Sequence, residues 1–129
     1  MRRLYAQSSA FVLPTRGEGY CLPVAEAMAM RLPVIVTNHS GLTAFATEDN
    51  AFLIPVDGSV VNPFGFIEPD VGALVGIMRR VVASPGERRE KGLAGRQTQE
   101  VMTPERVVGV MTARVRALLG EAGSTTELT

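Results

Sequence analysis

The stretch RGEGYCLPVAE, residues 16–26, decides the fold that we expect for this chain. It follows a short apolar run, residues 10–13, that ends at a proline and is typical of a buried parallel strand. Its two glycines indicate a turn, and Pro23 suits the first turn of a helix because the N–H groups there are unpaired in any case. The stretch therefore predicts a strand, a glycine turn and a helix over residues 22–30, with the helix apolar and buried on nearly every face.

Two more apolar segments continue this pattern. Residues 33–37 and 51–56 have the composition of buried strands, and the polar loop NHSGLT, residues 38–43, lies between them. The order strand, helix, strand, loop, strand is typical of a parallel α/β sheet. We expect a partial Rossmann-like sheet of about three strands.

The second half of the chain predicts a helical C-terminal layer. Residues 57–69 are rich in proline and glycine and predict a loop. Asp70 should cap a helix through residue 83, and residues 87–101 should form a charged, mostly solvent-facing helix. A last helix should begin at Thr103 and end at Gly120. The predicted set of core-facing side chains in the helix after Asp70 is Val71, Leu74, Val75, Met78, Val81 and Val82. We divide the chain into one domain, residues 1–120, and a polar, frayed tail, residues 121–129.

Composition excludes several classes of protein. The 129 residues are 46% apolar and 20% charged, which fits one globular domain. Thirteen basic and thirteen acidic residues give no net charge, which argues against a nucleic-acid partner. One cysteine allows no disulfide framework, and no apolar run approaches the roughly 20 residues that span a bilayer. A cytoplasmic location is the default expectation.

The predicted turn and helix form an anion site that two carboxylates flank. The first turn of a helix presents unpaired N–H groups at its positive end, and a diphosphate is a natural occupant. Gly17 and Gly19 let the backbone approach a ligand closely. Glu18 lies in the turn, whereas Glu26 lies about one turn into the helix and should lean back towards its start. Carboxylates are good acceptors for sugar hydroxyls, including the vicinal pair of a ribose.

These residues resemble a known family. The segment PTRGEGYCLPVAEAMAM, with seven residues between its two glutamates, is similar to the E-x7-E motif of retaining glycosyltransferases of family 4, the group 1 transferases. LPVIVTNHSGLTAF and EDNAFLIPVDG continue the resemblance, which covers roughly residues 5–115 and is closest to members of plant and algal type. It implies a GT-B fold, two Rossmann-like domains that face a cleft, of which this chain carries the C-terminal half of one.

The resemblance also implies roles for individual residues. Glu18 would contact the donor sugar as the catalytic residue, and Glu26 would bind the ribose. The backbone amides of Gly19, Tyr20, Cys21 and Leu22, next to Gly17, would hold sugar hydroxyls and the distal phosphate. Ser40 and Gly41 would form the family's small-residue loop beside the donor. The donor is then a nucleotide-sugar substrate, the acceptor is unknown, and neither a cofactor nor a metal is expected.

Two positions depart from the family pattern, which has glycine where Cys21 and Arg31 stand. A side chain at Cys21 either crowds the sugar or points away. Arg31 directly follows the helix at a position suited to a left-handed cap, where a non-glycine residue costs about 1 kcal/mol. Both leave activity open.

Each candidate also has a simpler interpretation. The two glutamates are compatible with a solvated turn acid and a helix-dipole acid, and the flanking sequence is what favours the donor site. A helix N-terminus can lower the pKa of Cys21, but without a His and Asn arrangement a cysteine nucleophile is disfavoured. His39, the only histidine, lines the cleft or lies on a surface loop. Residues 40–41 are equally compatible with an ordinary turn. One His, one Cys and no clustered acids make a metal site improbable.

Three hypotheses remain open. The chain is a piece of an active transferase whose acceptor-binding N-terminal domain and earlier donor half are missing, because it opens almost directly on a core element. Alternatively it is a stand-alone nucleotide-sugar-binding module, or a remnant that pairs with another chain through an exposed sheet edge. In each case we expect the 129 residues alone to transfer no sugar. The sequence does not name the sugar, the base or the acceptor.

Overall fold

The computed structural model describes residues 2–120 and has an α/β architecture; the predicted tail, residues 121–129, lies outside the described residues. Its elements in chain order are α1 (Arg2–Gln7), β1 (Phe11–Leu13), α2 (Leu22–Ala29), β2 (Val34–Thr37), a 3-10 turn (Ser40–Ala44), β3 (Phe52–Ile54), β4 (Val56–Val61), β5 (Ile67–Pro69), α3 (Val71–Ala83), α4 (Pro85–Glu100) and α5 (Pro104–Leu118). No helix within residues 2–120 is long and apolar enough to cross a membrane.

Strands β1, β2 and β3 form the predicted three-stranded parallel sheet, in that order. The central strand β2 is buried along its whole length, because it has a neighbouring strand at each edge and both of its faces are covered. The prediction of a fully buried first strand is wrong. Within the described chain β1 is an edge strand, and its central residue Val12 is 38% exposed.

The core lies on both faces of this sheet. On one face α2 packs Val24, Ala27 and Met28 against Val34 and Val36 of β2 and against the 3-10 turn. On the other face Val81 of α3 joins a second apolar cluster with β2 and β3. The prediction that α2 is buried on nearly every face except that of Glu26 is wrong, since Leu22, Pro23 and Ala29 are exposed as well.

The segment predicted as a loop over residues 57–69 contains a β-hairpin. Strands β4 and β5 pair antiparallel, with Val56 opposite Pro69 and Val61 opposite Ile67. The Asn62 side-chain oxygen accepts N–H groups from Phe64 and Phe66 at 2.9 and 3.1 Å and so fixes the turn. Of the prolines and glycines that predicted a loop, Pro63 and Gly65 lie in this turn, whereas Gly58 lies in β4 and Pro69 in β5. The predicted third strand is also divided, because β3 ends before Pro55 and β4 follows it.

The helix after Asp70 begins as predicted but faces the sheet differently. The Asp70 carboxylate accepts the N–H of Ala73 at 2.8 Å and caps α3. The predicted core-facing set is largely wrong, because four of its six members are exposed and the packed residues are Leu74, Ile77 and Val81. The apolar surface of α3 is larger than the part of it that contacts the sheet, and this contact is mainly with β3.

Helix α4 is not the solvent-facing helix that its charges predict. Lys91, Gly92 and Gly95 are buried where α4 packs against α2. The Lys91 ammonium donates to the backbone carbonyl of Glu48 and lies 5.1 Å from the centre of the Phe52 ring. Gly92 and Gly95 let α4 approach Arg31 and Met28 closely, and Lys91 is buried against the loop before β3, where a carbonyl and an aromatic ring satisfy its ammonium.

The last helix, α5, matches the sequence prediction at both ends. The Thr103 hydroxyl accepts the N–H of Arg106 at 3.3 Å, and Gly120 follows the helix with a φ of 77°. Its apolar residues, like the rest of the helix, are exposed in the described chain.

We expect Arg31→Gly to stabilise the fold. Arg31 has a φ of 63° directly after α2, as the sequence predicted for a left-handed cap. Glycine removes a backbone strain of about 1 kcal/mol. Part of this gain is lost because glycine also gives the unfolded chain more conformational freedom. Urea denaturation should show a small gain in the free energy of unfolding.

The matched control is Arg79→Gly in the interior of α3, where the same replacement should cost about 1 kcal/mol. If both variants lose stability to the same extent, the strain assigned to Arg31 is wrong.

Candidate functional site

Two loops meet at the carboxyl edge of the parallel sheet. The glycine loop, residues 14–21, follows β1, and the serine turn, Ser40–Ala44, follows β2. The Ser40 hydroxyl accepts the N–H of Glu18 at 2.9 Å, and the N–H of Gly41 donates to the carbonyl of Glu18 at 3.1 Å. The structure thus brings Glu18, Ser40 and Gly41 together, through two hydrogen bonds that clamp the backbone on either side of one glutamate.

The contact between the glycine loop and the serine turn requires a glycine at position 41. A Cβ atom built on it would lie 1.3 Å from the carbonyl oxygen of Gly19. Any other residue would overlap the backbone of the glycine loop. Ser40 next to it has a φ of 57°, so the serine turn carries strain at the position that supplies the clamping hydroxyl.

Four consecutive backbone donors follow the clamp. None of the N–H groups of Gly19, Tyr20, Cys21 and Leu22 donates to another group in the part of the chain that the structure describes. The next donors along α2 are internally bonded, because the N–H groups of Val24 and Ala25 reach the carbonyl of Cys21 at 3.1 and 3.3 Å. Unpaired N–H groups at a helix N-terminus, beside the carboxyl edge of a parallel sheet, form a site for an anion.

Cys21 caps α2 through its backbone and not through its side chain. Its φ of 67° is left-handed, and no side-chain hydrogen bond caps the helix. Burial raises the pKa of the Cys21 thiol, and the Glu18 carboxylate adds to this increase, whereas the N–H of Val24 opposes it. The sequence-based suggestion of a lowered pKa is therefore wrong, and a cysteine thiolate nucleophile is disfavoured further.

The other residues of the glycine loop divide between core and surface. The Tyr20 ring packs against Phe45 with 4.9 Å between the ring centres, which attaches the loop to the serine turn a second time. Leu22 is 66% exposed and Gly17 has open space around it. The predicted donor residues Gly17, Gly19, Tyr20 and Cys21 thus lie in one loop, and Leu22 follows them as the first residue of α2.

Glu26 is exposed on α2, and its partner is a residue that the sequence analysis missed. The Tyr5 hydroxyl donates to Glu26 Oε2 at 3.0 Å, from a side chain that is only 4% exposed. Burial is the largest cause of a raised pKa at Tyr5, and Glu26 and Cys21 add to it. The Cys21 thiol thus interacts with Glu18 and with Tyr5, and Tyr5 is bonded to Glu26. Twenty-one positions separate Tyr5 from Glu26, so no local pattern could indicate this pair.

A cavity of about 490 Å³ opens beside Glu26, between α1, α2 and α4. Its polar lining includes Arg96 and Gln99 of α4, and Tyr5 and Glu26 form the opposite side. The Arg96 side chain also pairs with Glu100 at 2.6 Å. The volume is within the range of small-molecule sites.

Arg16 attaches the glycine loop to the hairpin. Its Nε atom donates to Glu68 Oε1 at 2.7 Å, and the Asn62 amide donates to the same oxygen at 2.8 Å. Arg16 and Asn62 together hold the pKa of Glu68 below its usual value. Both partners of the ion pair are solvent-accessible, so it contributes little to stability. Arg16 is thus engaged with the hairpin and is not directed at the four amides.

The geometry adds no support for His39 as a residue of the site, and it does not test the prediction that no metal takes part. His39 is partly buried before the serine turn, and its backbone N–H donates to the carbonyl of Thr37 at 2.8 Å. Among residues 2–120, no three His, Cys, Asp or Glu side chains are grouped to hold a metal. The absence of a metal from the function stays a prediction.

The fold is that of an α/β chain with half of a Rossmann-like sheet, and four unpaired backbone N–H groups lie beside the carboxyl edge of this sheet in the described residues. Residues 1–64, just under half of the chain, match the family model described as "Glycosyl transferases group 1". The structure is similar to sucrose-phosphate synthase from Thermosynechococcus elongatus, with a TM-score of 0.67 and 23% identity over 93% of this chain and 27% of that one. A search of curated proteins finds no match.

These comparisons agree with the coarser form of the resemblance. At this identity the likeness to the synthase shows the fold alone, and residues 1–64 are similar to the group 1 glycosyltransferases. The matched residues include the glycine loop, the serine turn and Glu26. The chain spans 27% of the length of the synthase, so this likeness does not show the activity of a whole protein.

Proposed function

We propose that this chain is part of the donor-binding domain of a retaining glycosyltransferase of family 4, of the plant and algal type, that transfers a sugar from a nucleotide-sugar to an acceptor. The observation that supports it best is the row of four unpaired amides, Gly19 to Leu22, behind the clamp on Glu18. This arrangement lies inside the part of the chain that matches the group 1 family model.

Each part of the site has a role in this proposal. The amides of residues 19–22 hold the diphosphate and stabilise the charge that develops on it as the sugar leaves. Glu18 contacts the donor sugar, and its position is set by the backbone clamp from Ser40 and Gly41. Glu26 accepts the ribose hydroxyls. Because amide donors take the place of a cation, the proposal includes no metal and no cofactor. The acceptor is bound by a second domain across the cleft.

Glu26→Ala tests the proposal through binding. The full chain should bind uridine, adenosine or guanosine diphosphate saturably in a calorimetric titration, and the variant should bind about ten- to a hundredfold more weakly, because hydrogen bonds to a charged group are lost. Glu90→Ala, an exposed glutamate of α4, is the matched control and should bind like the wild type. Circular dichroism checks that each variant is folded.

Two results would contradict the proposal. One is the absence of saturable binding of any of the three diphosphates by the folded wild type. The other is an equal loss in Glu26→Ala and Glu90→Ala, which would mean that binding depends on total charge and not on the site.

One observation favours a second candidate, association with another polypeptide. The edge strand β1 leaves Val12 38% exposed in the described chain, and an unpaired strand edge is a template for a further strand. Sedimentation that depends on protein concentration but not on added nucleotide would favour this candidate.

A further inference from the structure

We propose that Tyr5 is a positioning residue that fixes the Glu26 carboxylate for the two hydroxyls of a ribose. The inference rests on the proposed function, in which Glu26 binds the ribose, and adds a residue that no motif in residues 16–26 contains. It concerns the orientation of Glu26 and assigns Tyr5 no contact with the reacting atoms.

The Tyr5 side chain is held in one place by the core. It is 4% exposed, and its ring packs against Phe11 with 6.0 Å between the ring centres. Its hydroxyl lies 3.0 Å from Glu26 Oε2 and 3.5 Å from the carbonyl oxygen of Pro23. A phenol has one proton, so the shorter contact to a charged acceptor takes it.

Glu26, in contrast, lies on the exposed side of α2. A free glutamate at such a position samples several rotamers, and ordering it on binding costs free energy. The hydrogen bond from Tyr5 removes part of this cost before any ligand binds, which is preorganisation. Tyr5 is thus the element that makes an exposed glutamate a defined acceptor.

The carboxylate keeps enough acceptor capacity for a diol. An ionised carboxylate has about four lone-pair positions, and the Tyr5 proton occupies one of them. Glu26 lines the cavity of about 490 Å³ together with Tyr5, and this is enough space for a nucleoside. Burial and the bond to Glu26 raise the pKa of Tyr5 above its usual value, so the phenol remains a donor at neutral pH.

The test compares two forms of one ligand in Tyr5→Phe. The full chain and the variant are titrated with the nucleoside diphosphate that the wild type binds best and with its 2′,3′-dideoxy form. We expect the variant to bind the ribose form about three- to tenfold more weakly. The dideoxy form should bind equally to both proteins, because it has no hydroxyls for Glu26 to accept. In the Glu26→Ala background, Tyr5→Phe should cause no additional loss.

A structural role would give a different pattern. Phe11→Leu, which changes the packing around Tyr5 and keeps its hydroxyl, is the control, and any loss that it causes in both nucleotide forms measures the structural contribution alone. If Tyr5→Phe also weakens both forms equally, or neither, the inference is overturned.

A second measurement serves if Tyr5→Phe does not fold. The phenol of Tyr5 should titrate at a lower pH in Glu26→Ala than in the wild type, and an unchanged titration overturns the inference. The two proposals fail separately. Glu26→Ala without effect removes the proposed function, whereas an effect of Glu26→Ala with none of Tyr5→Phe removes only the positioning role.

Discussion

Replacing Gly41 with alanine is expected to abolish measurable nucleotide binding and to destabilise the chain. The new Cβ atom would lie 1.3 Å from the carbonyl oxygen of Gly19 and 2.9 Å from that of Glu18. Because both are backbone atoms, no side-chain rotation relieves the overlap, and the serine turn must move away from the glycine loop. The hydrogen bonds on either side of Glu18, at 2.9 and 3.1 Å, then break.

The size of the effect follows from these losses. Two hydrogen bonds contribute about 1 kcal/mol each, and steric displacement adds to this, so we expect the free energy of unfolding to fall by about 2–4 kcal/mol. Binding should weaken about a hundredfold or more, because the four amides no longer converge on one anion. Calorimetric titration and urea denaturation measure the two quantities.

Gly17→Ala is the matched control for this prediction. It lies in the same loop, and nothing lies within 4 Å of its Cβ position. We expect near-normal stability from it. A Gly41→Ala protein that is as stable as Gly17→Ala and still binds diphosphates like the wild type would show that the clamp is not needed.

Local backbone requirements in the site were predictable from the sequence. Arg31 was placed at a left-handed cap because the resembled family has glycine at this position, directly after a helix, and its φ of 63° confirms the left-handed conformation. The resemblance placed Ser40 and Gly41 beside the donor loop, and the structure shows the contact as two hydrogen bonds to Glu18. The roles of these residues in binding a donor stay predictions.

What depends on tertiary packing was not predictable. Hydrophobic composition shows that α2 and α3 pack against something, but the area of contact is set by a sheet of only three strands, so part of each apolar surface stays exposed. The charges of α4 predicted a solvent-facing helix. Lys91 is buried nevertheless, because its ammonium contacts a backbone carbonyl and an aromatic ring that are distant in the sequence. The partnership of Tyr5 with Glu26 depends on the same kind of long-range arrangement.

Gly92→Ala is expected to show how α4 contributes to the site. The added Cβ atom would lie 2.3 Å from the carbonyl oxygen of Arg31, so α4 must move away from α2. Overpacking of this kind costs about 1–3 kcal/mol, and the contacts of Lys91 and Thr98 on α4 with the loop before β3 weaken with it. Urea denaturation should show the loss.

The same substitution at Gly76 should act in the opposite direction. Gly76 lies within α3 with nothing inside 4 Å of its Cβ position, so alanine there should stabilise the chain by about 0.5–1 kcal/mol. Two glycine-to-alanine changes in helices with opposite signs separate helix propensity from close packing. Equal effects at the two positions would contradict the close approach of α4 to Arg31.

Since Arg96 and Gln99 reach the cavity from α4, Gly92→Ala should also weaken diphosphate binding, whereas Gly76→Ala should leave it unchanged.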